Sequence, residues 1–307
     1  MRASVHCLLA AALAVAPLRA QAPVPAPAAP AAKVHRVEKL TEHAYVIFGR
    51  GGNIGLFVTD HNAILVDDQF ENLVPGLLEA IRSVTDKPLR YLVNTHVHGD
   101  HVGGNLALEK QGVTIVAHAN VRKRLAAAQA KLDPGKRGGL PQLALGDPDG
   151  KRARLDLHVD GADFHLLHLQ AGHTDGDIVF GYPAELVMHM GDLFFHGMLP
   201  FVDSDNGGSF EGLVAQIGDM AAWIPDGVKI IPGHGPVASR KDLLRYLELL
   251  KAVQAHAQAL KGKSPAELAA AFDTKAWPDY QPKADFVTWE TLFAVASGQG
   301  PGRVPRT

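Results

Sequence analysis

Cysteine is nearly absent from this 307-residue chain. The one thiol is Cys7, so no disulfide framework can carry the fold and a metal site beyond the N-terminus must use His and carboxylate groups. Charge of one sign is missing too: 30 Lys and Arg stand against 32 Asp and Glu, a net charge of -2. A chain without a basic excess has no electrostatic basis for gripping a phosphate backbone, so no nucleic-acid partner is expected. There is no Gly-x-Ser-x-Gly turn for a serine nucleophile, and no Gly-rich loop ending in Lys-Ser or Lys-Thr for a nucleotide phosphate. The apolar share of 47% and charged share of 20% are those of a soluble globular protein, long enough for one large domain or two ordinary ones. Histidine is over-used, with 16 residues, and imidazole is the commonest protein metal ligand.

The N-terminus reads as a signal peptide over residues 1–22. Arg2 is followed by the apolar run Val5 to Ala16 and the small-x-small site Ala20-Gln21-Ala22. That run is too short to cross a bilayer, so the expectation is a cleaved periplasmic or secreted product with no membrane anchor, whose mature chain lacks cysteine. Residues 23–33, nearly all Pro and Ala, read as an extended linker. The main domain is expected over 34–262, with a short helical C-terminal extension over 263–307 that adds little chemistry.

Within the domain, β-rich runs at Ala44–Phe48, Ile54–Val58 and Ala63–Val66 are separated by Gly, Asn and Asp turns, and a helix is predicted over Leu73 to Val84. Leu89–Asn94 reads as a buried strand. Thereafter strands near Thr114–Val116, Leu155–Val159, Phe164–Leu169, Ile178–Phe180, Leu186–Met190 and Val228–Ile231 alternate with helices Asn120–Lys131, Phe210–Trp223 and Lys241–Leu260, a mixed α and β pattern. Further helices are predicted over Pro265–Phe272 and Phe286–Ala296. The Gly- and Pro-rich stretch Asp133 to Gly150 has neither periodicity and is expected to be a surface loop near the site.

The strand at Leu89–Asn94 runs directly into Thr95-His96-Val97-His98-Gly99-Asp100-His101. Residues two apart project to one side of extended chain, so His96 and His98 can share a cation there but would diverge on a helix. Gly99, Gly103 and Gly104 give the backbone freedom to fold Asp100 and His101 into the same small volume. Four ligand-type residues in six positions exceed what one open catalytic zinc uses, which points to two metals. Three further candidates, Gly172-His173, Gly191-Asp192 and Gly233-His234, each follow a glycine where the chain leaves a strand. A lone His or Asp in such a turn is ordinarily a cap; beside the dense motif the three together read as the missing ligands.

His96-x-His98-x-Asp100-His101, then His173, Asp192 and His234 in this order, resembles the metallo-β-lactamase superfamily over about Val34 to Leu260. The resemblance implies an α+β fold, an αββα sandwich of two mixed sheets flanked by helices, with a dinuclear site at one edge. It implies two zinc ions, or iron or manganese in their place. His96, His98 and His173 would hold the first, Asp100, His101 and His234 the second, and Asp192 would bridge them. Asp67, ending the strand Ala63–Val66, matches a family carboxylate that orients the ligands.

A water shared by two divalent cations loses a proton near neutral pH, whereas bulk water has a pKa of about 15.7. The expected chemistry is therefore attack of that hydroxide on a carbonyl, with Asp192 and Asp100 as the catalytic carboxylates and Asp100 or a water returning the proton. The expected partner is a small-molecule substrate; the sequence carries no signal of oligomeric state. Zinc β-lactamases often have Cys in the place of Asp192 and Lys three residues on, where this chain has Phe195; lactonases of the superfamily commonly have Tyr there. Gly191-Asp192-Leu193-Phe194 is similar to glyoxalase II thioesterases. Phe194, Phe195, Met198, Leu199 and Phe201 around His196 suggest an apolar pocket mouth, with Phe195 and His196 as substrate contacts, or else a loop packed on the core. A β-lactam, a lactone or another ester or amide is the favoured substrate. A phosphodiester, a glutathione thioester and non-catalytic zinc binding are the alternatives.

Overall fold

Short turns force the first four strands, Arg36–Lys39 (β1), Ala44–Phe48 (β2), Ile54–Val58 (β3) and Ala63–Val66 (β4), to pair in chain order as an antiparallel meander. From β4 onward the pairing is parallel, through Leu89–Val93 (β5) and Thr114–His118 (β6) to Leu143–Leu145 (β7). Parallel neighbours need long crossovers, and these are supplied by helices Val74–Arg82 (α1), Gly99–Val102 (α2), Asn105–Glu109 (α3) and Ala119–Gln129 (α4). The second sheet has the order β13-β12-β11-β10-β9-β8, from Ala153–Val159 (β8), Ala162–His168 (β9), Val179–Tyr182 (β10), Val187–Phe195 (β11), Lys229–His234 (β12) and Ala238–Ser239 (β13). Its β11 and β12 are parallel and joined through helix Phe210–Trp223 (α5); its other pairs are antiparallel. Helices Arg240–Ala259 (α6), Pro265–Ala271 (α7) and Trp289–Ala296 (α8) complete the chain. The computed structural model describes residues 34–149 and 151–302; the expected leader (1–22) and the Pro/Ala-rich stretch (23–33) lie outside the described residues.

Both faces of each central strand are buried, which is why their sequences are continuous apolar runs. In β4, Ile64 and Val66 point to the layer between the sheets, where they meet Phe57, Phe164, Phe180 and Ile231. Ala63 and Leu65 point the other way, onto Leu77 and Ile81 of α1 and Leu108 of α3. The outer face of the second sheet packs Met190 and Ile230 on Leu213 and Ile217 of α5 and Leu243 and Leu250 of α6. Helix, sheet, sheet and helix thus stack in the αββα order expected.

The expected loop 133–150 contains strand β7, whose three residues were too few to display an alternating pattern. Strand β1 and the short helices α2 and α3 were likewise not anticipated. Beyond α6 the chain does not stand apart: Leu268, Tyr280, Val287, Leu292 and Phe293 are buried in the same cluster as α5 and α6.

Candidate metal centre

Four chain segments reach one edge of the sandwich as their strands end: β4 into Asp67, β5 into the histidine motif, β9 into the loop with His173, and β12 into His234. Asp192 comes from within β11, where the register with β12 shifts on either side of Gly191. Gly191 has φ +51, and a side chain there would drive into Thr95, 2.6 Å from its Oγ1. Gly233 is as constrained, since an added Cβ would lie 1.9 Å from Asp192 Oδ1. These two glycines let β11 and β12 pass the carboxylate between them. The sheets are pinned together here by Ile178 N donating to Thr95 O at 2.7 Å and Asn53 N donating to Gly233 O at 2.7 Å.

His96, His98, His173 and Asp192 form one group that can hold a metal ion, with ligating atoms all within 4.8 Å of one another. Their outward hydrogen bonds determine which nitrogens face inward. Asp203 Oδ2, an acceptor only, lies 2.6 Å from His98 Nε2, so that nitrogen carries the proton and Nδ1 is a lone pair. His173 Nδ1 donates to the Phe201 carbonyl at 2.8 Å. Thr95 Oγ1 donates its one hydrogen bond to Asp67 Oδ2 at 2.7 Å, so it can only accept from His96 Nδ1 at 3.0 Å. Three lone pairs therefore face one another, with His98 Nδ1 3.1 Å from His96 Nε2 and 2.9 Å from His173 Nε2. Asp192 Oδ2 completes the group at 3.6 Å from His96 and 3.5 Å from His173. Zinc–nitrogen bonds of about 2.0–2.1 Å imply tetrahedral edges of about 3.4 Å, so this set fits one cation at its centre. Burial pushes His173 down to about 4 and His96 well below its usual range, which keeps both rings neutral as ligands must be.

Asp100, His101 and His234 form a second group within 4.8 Å. Asp100 and His101 sit on the single turn of α2, and His101 Nδ1 donates to Asp67 Oδ2 at 2.7 Å, which turns its Nε2 inward. That buried Nε2 and the buried Asp192 Oδ1, 3.3 Å apart, each lack a hydrogen bond, an unmet pair that a cation would satisfy. His234 Nε2 lies 3.3 Å from Asp100 Oδ2 and 3.5 Å from Asp192 Oδ1. Burial alone would lower His234, but Asp192 and Asp100 lift it to about 9. Burial alone would raise Asp100, but His101 and His234 hold it at about 2. A proton on these imidazoles takes the charge position a divalent ion would fill. Asp192 thus serves both groups, Oδ2 toward the first and Oδ1 toward the second. The centre is open on the side of His98, Asp100 and His234, whose side chains are 20%, 27% and 25% exposed, and closed behind His101 and His173 at 0%.

All seven ligand candidates converge, and Asp67 holds both Thr95 and His101. Phe195 and His196 do not form a pocket mouth. Phe195 is 2% exposed and lies behind the imidazoles, stacked on His234 at 5.6 Å and edge-on to His173 at 5.9 Å. His196 turns to the opposite face, over Phe194 and toward Asp242, and lines a separate cavity of about 440 Å³ with Lys241 and Tyr280. Phe194, Leu199 and Phe201 are buried as well, so the core-packing alternative describes this loop. Asp203, Thr95 and the buried amide pair Asn94–Asn105, which ties the end of β5 to the start of α3, were missed. Asp203-Ser204-Asp205-Asn206-Gly207-Gly208 reads as a turn, and its hydrogen bonds are those of one.

The description "Metallo-beta-lactamase superfamily" matches residues 47–256, more than half of the chain and every ligand candidate. The chain belongs to the metallo-β-lactamase superfamily. Its similarity to the hydroxyacylglutathione hydrolase GloC of Haemophilus influenzae is 32% identity over 180 residues, 57% of this chain and 81% of that protein. A type 2 metallo-β-lactamase of a Bacillus species is 26% identical over 201 residues, 63% of this chain and 70% of that one. Among solved structures, a metallo-β-lactamase from Pontibacter korlensis superposes with a TM-score of 0.59 at 21% identity, covering 71% of this chain and 99% of that one. This metallo-β-lactamase superfamily member is a metal-dependent hydrolase, and its two mixed sheets flanked by helices are the superfamily's sandwich.

Proposed function

We propose that this protein is an exported hydrolase that holds two zinc ions and cleaves a small carbonyl substrate, a β-lactam, a lactone or another ester or amide. The observation that carries the reading is the Asp192 carboxylate, one oxygen turned to each of two groups of ligating atoms. When bound, the ions supply Lewis acidity and acidify water toward neutral pH. The residues supply the rest. Asp67, Asp203 and the Phe201 carbonyl fix the tautomers of His101, His98 and His173, so each presents a lone pair inward. Asp100 and Asp192 carry two negative charges against the four of two dications, a surplus that favours an anionic group on the open side. Asp100, 27% exposed at that open edge, is placed to relay a proton from an attacking water to the leaving group.

A thioester is the second reading, favoured by the similarity to a hydroxyacylglutathione hydrolase. Export is supported by the signal-like residues 1–22; the mass and N-terminal sequence of protein recovered from the periplasm or medium test it. The substrate question is tested with metal-replete protein against a chromogenic β-lactam, a lactone, a glutathione thioester and bis-nitrophenyl phosphate, with metal content measured alongside. Turnover of a carbonyl substrate that is lost on chelation is expected. Cleavage of the phosphodiester alone would overturn the proposal.

A further inference from the structure

The loop from His196 to Asp203 does three things for the imidazoles. The Phe201 carbonyl accepts a hydrogen bond from His173, the Phe201 ring stacks on His98 at 5.7 Å and 23°, and Asp203 accepts a hydrogen bond from His98. The orientation of both rings therefore depends on how firmly this loop is held.

Its outer side is gripped by the C-terminal segment, which lies beyond the 47–256 family match. Leu199 N donates to Gln281 O at 3.2 Å and Gln281 N donates to Gly197 O at 3.3 Å, with Met198 and Gln281 paired as a parallel bridge. Further on, Lys283 and Val287 exchange both backbone hydrogen bonds, at 2.7 and 2.8 Å, closing a tight turn. That turn presents the Phe286 ring to Phe201 at a centroid distance of 4.9 Å. One aromatic column thus runs Phe286, Phe201, His98, with His173 edge-on to Phe201 at 5.4 Å.

We infer that Phe286 is a positioning residue for the metal centre: acting through Phe201, the C-terminal segment sets the alignment of His98 and His173. The inference rests on the reading of those histidines as ligands. Without Phe286, the Phe201 ring loses its backing and can swing out, removing the plane against which His98 is stacked, and the loop that carries the Phe201 main-chain carbonyl on His173 loses one of its outer contacts. The ligating nitrogens would then sample geometries in which they no longer meet.

The test uses full-length zinc-loaded protein, with three readouts: zinc release to a chromophoric chelator, the visible spectrum of the cobalt(II)-substituted protein, and thermal unfolding. Phe272→Ala is the structural control, because that ring packs in the same C-terminal region on His256, Trp289 and Phe293. Phe286→Ala is expected to release zinc roughly tenfold faster and to shift the cobalt bands, while Phe272→Ala lowers the unfolding midpoint and moves neither. Phe286→Leu, which keeps most of the volume, should release zinc only about two- to threefold faster, and it carries the test alone if the alanine variant does not fold. Release and spectra in the Phe286 variants that match Phe272→Ala would overturn the inference while leaving the ligand assignment intact. Wild-type protein that takes up neither zinc nor cobalt would overturn both.

Discussion

Asp203 and His98, 105 residues apart in the chain, meet at 2.6 Å, and this contact decides which nitrogen of His98 faces the centre. The carboxylate is itself held by Asn206 Nδ2 at 2.7 Å and by the amides of Asp205 and Asn206, so it reaches His98 already oriented. With burial opposing, His98 and Asn206 hold it far below the usual carboxylate range.

Asp203→Ala frees His98 to rotate and to take the other tautomer. Metal affinity at one of the two positions should fall about 10–100-fold while the other is retained. A competition titration with zinc should then resolve a strong and a weak equivalent. Two unchanged equivalents would reject the role given to Asp203.

Asp67 has both oxygens engaged, by the Thr95 amide, the Thr95 hydroxyl and His101 Nδ1, each at 2.7 Å, and it is wholly buried. Asp67→Ala leaves the amide and the imidazole donor unmet, at a cost of about 1–3 kcal/mol each. Urea unfolding of the metal-free protein measures this loss independently of ligand binding. A variant as stable as wild type would show that water or a neighbouring group replaces the carboxylate.

His98→Ala should lower metal content and rate together. Phe195→Ala, which from sequence would be expected to change only substrate preference, should instead cost about 3–5 kcal/mol, because it empties a buried site behind His173 and His234. It should also weaken metal retention. Thermal unfolding and metal analysis of the dialysed variant check both, and altered preference at wild-type stability would contradict the packing.

Removing metal with a chelator should abolish turnover and lower the unfolding midpoint, and two equivalents of zinc should restore both. A ligand at a hundred times its Kd adds about 2.7 kcal/mol to folding stability, so the shift should grow with free zinc. Restoration by one equivalent would reassign the bridging carboxylate.

Much of this was legible before any coordinates. The strands at 44–48, 54–58 and 63–66 and the helix at 210–223 match the structure residue for residue, because a buried run bounded by turn residues is a local pattern. The convergent set of candidate ligands was legible because four ligand-type residues crowd into six positions and the distant ones follow glycines. Strand β7 was not, with three residues and no pattern, and neither was Asp203, whose sequence neighbourhood describes only its own turn. The facing of Phe195 was left open between pocket and core for a related reason: an aromatic beside a candidate ligand looks the same in sequence whether it faces solvent or the back of an imidazole.

The amino-acid sequence by itself determined the ligating atom types, their order and the alternation of strands and helices, since these follow from side-chain chemistry and short-range hydrophobic period. Only the tertiary structure decided which nitrogen of each histidine turns inward, that Asp192 offers one oxygen to each group, and that Phe286 backs the loop behind His98. Those outcomes depend on residues distant in the chain, 28 positions for His173 and Phe201, 34 for Asp67 and His101 and 105 for His98 and Asp203, being brought within a few ångströms. That placement is set by the packing of two whole sheets and their helices, and no local stretch of sequence contains it.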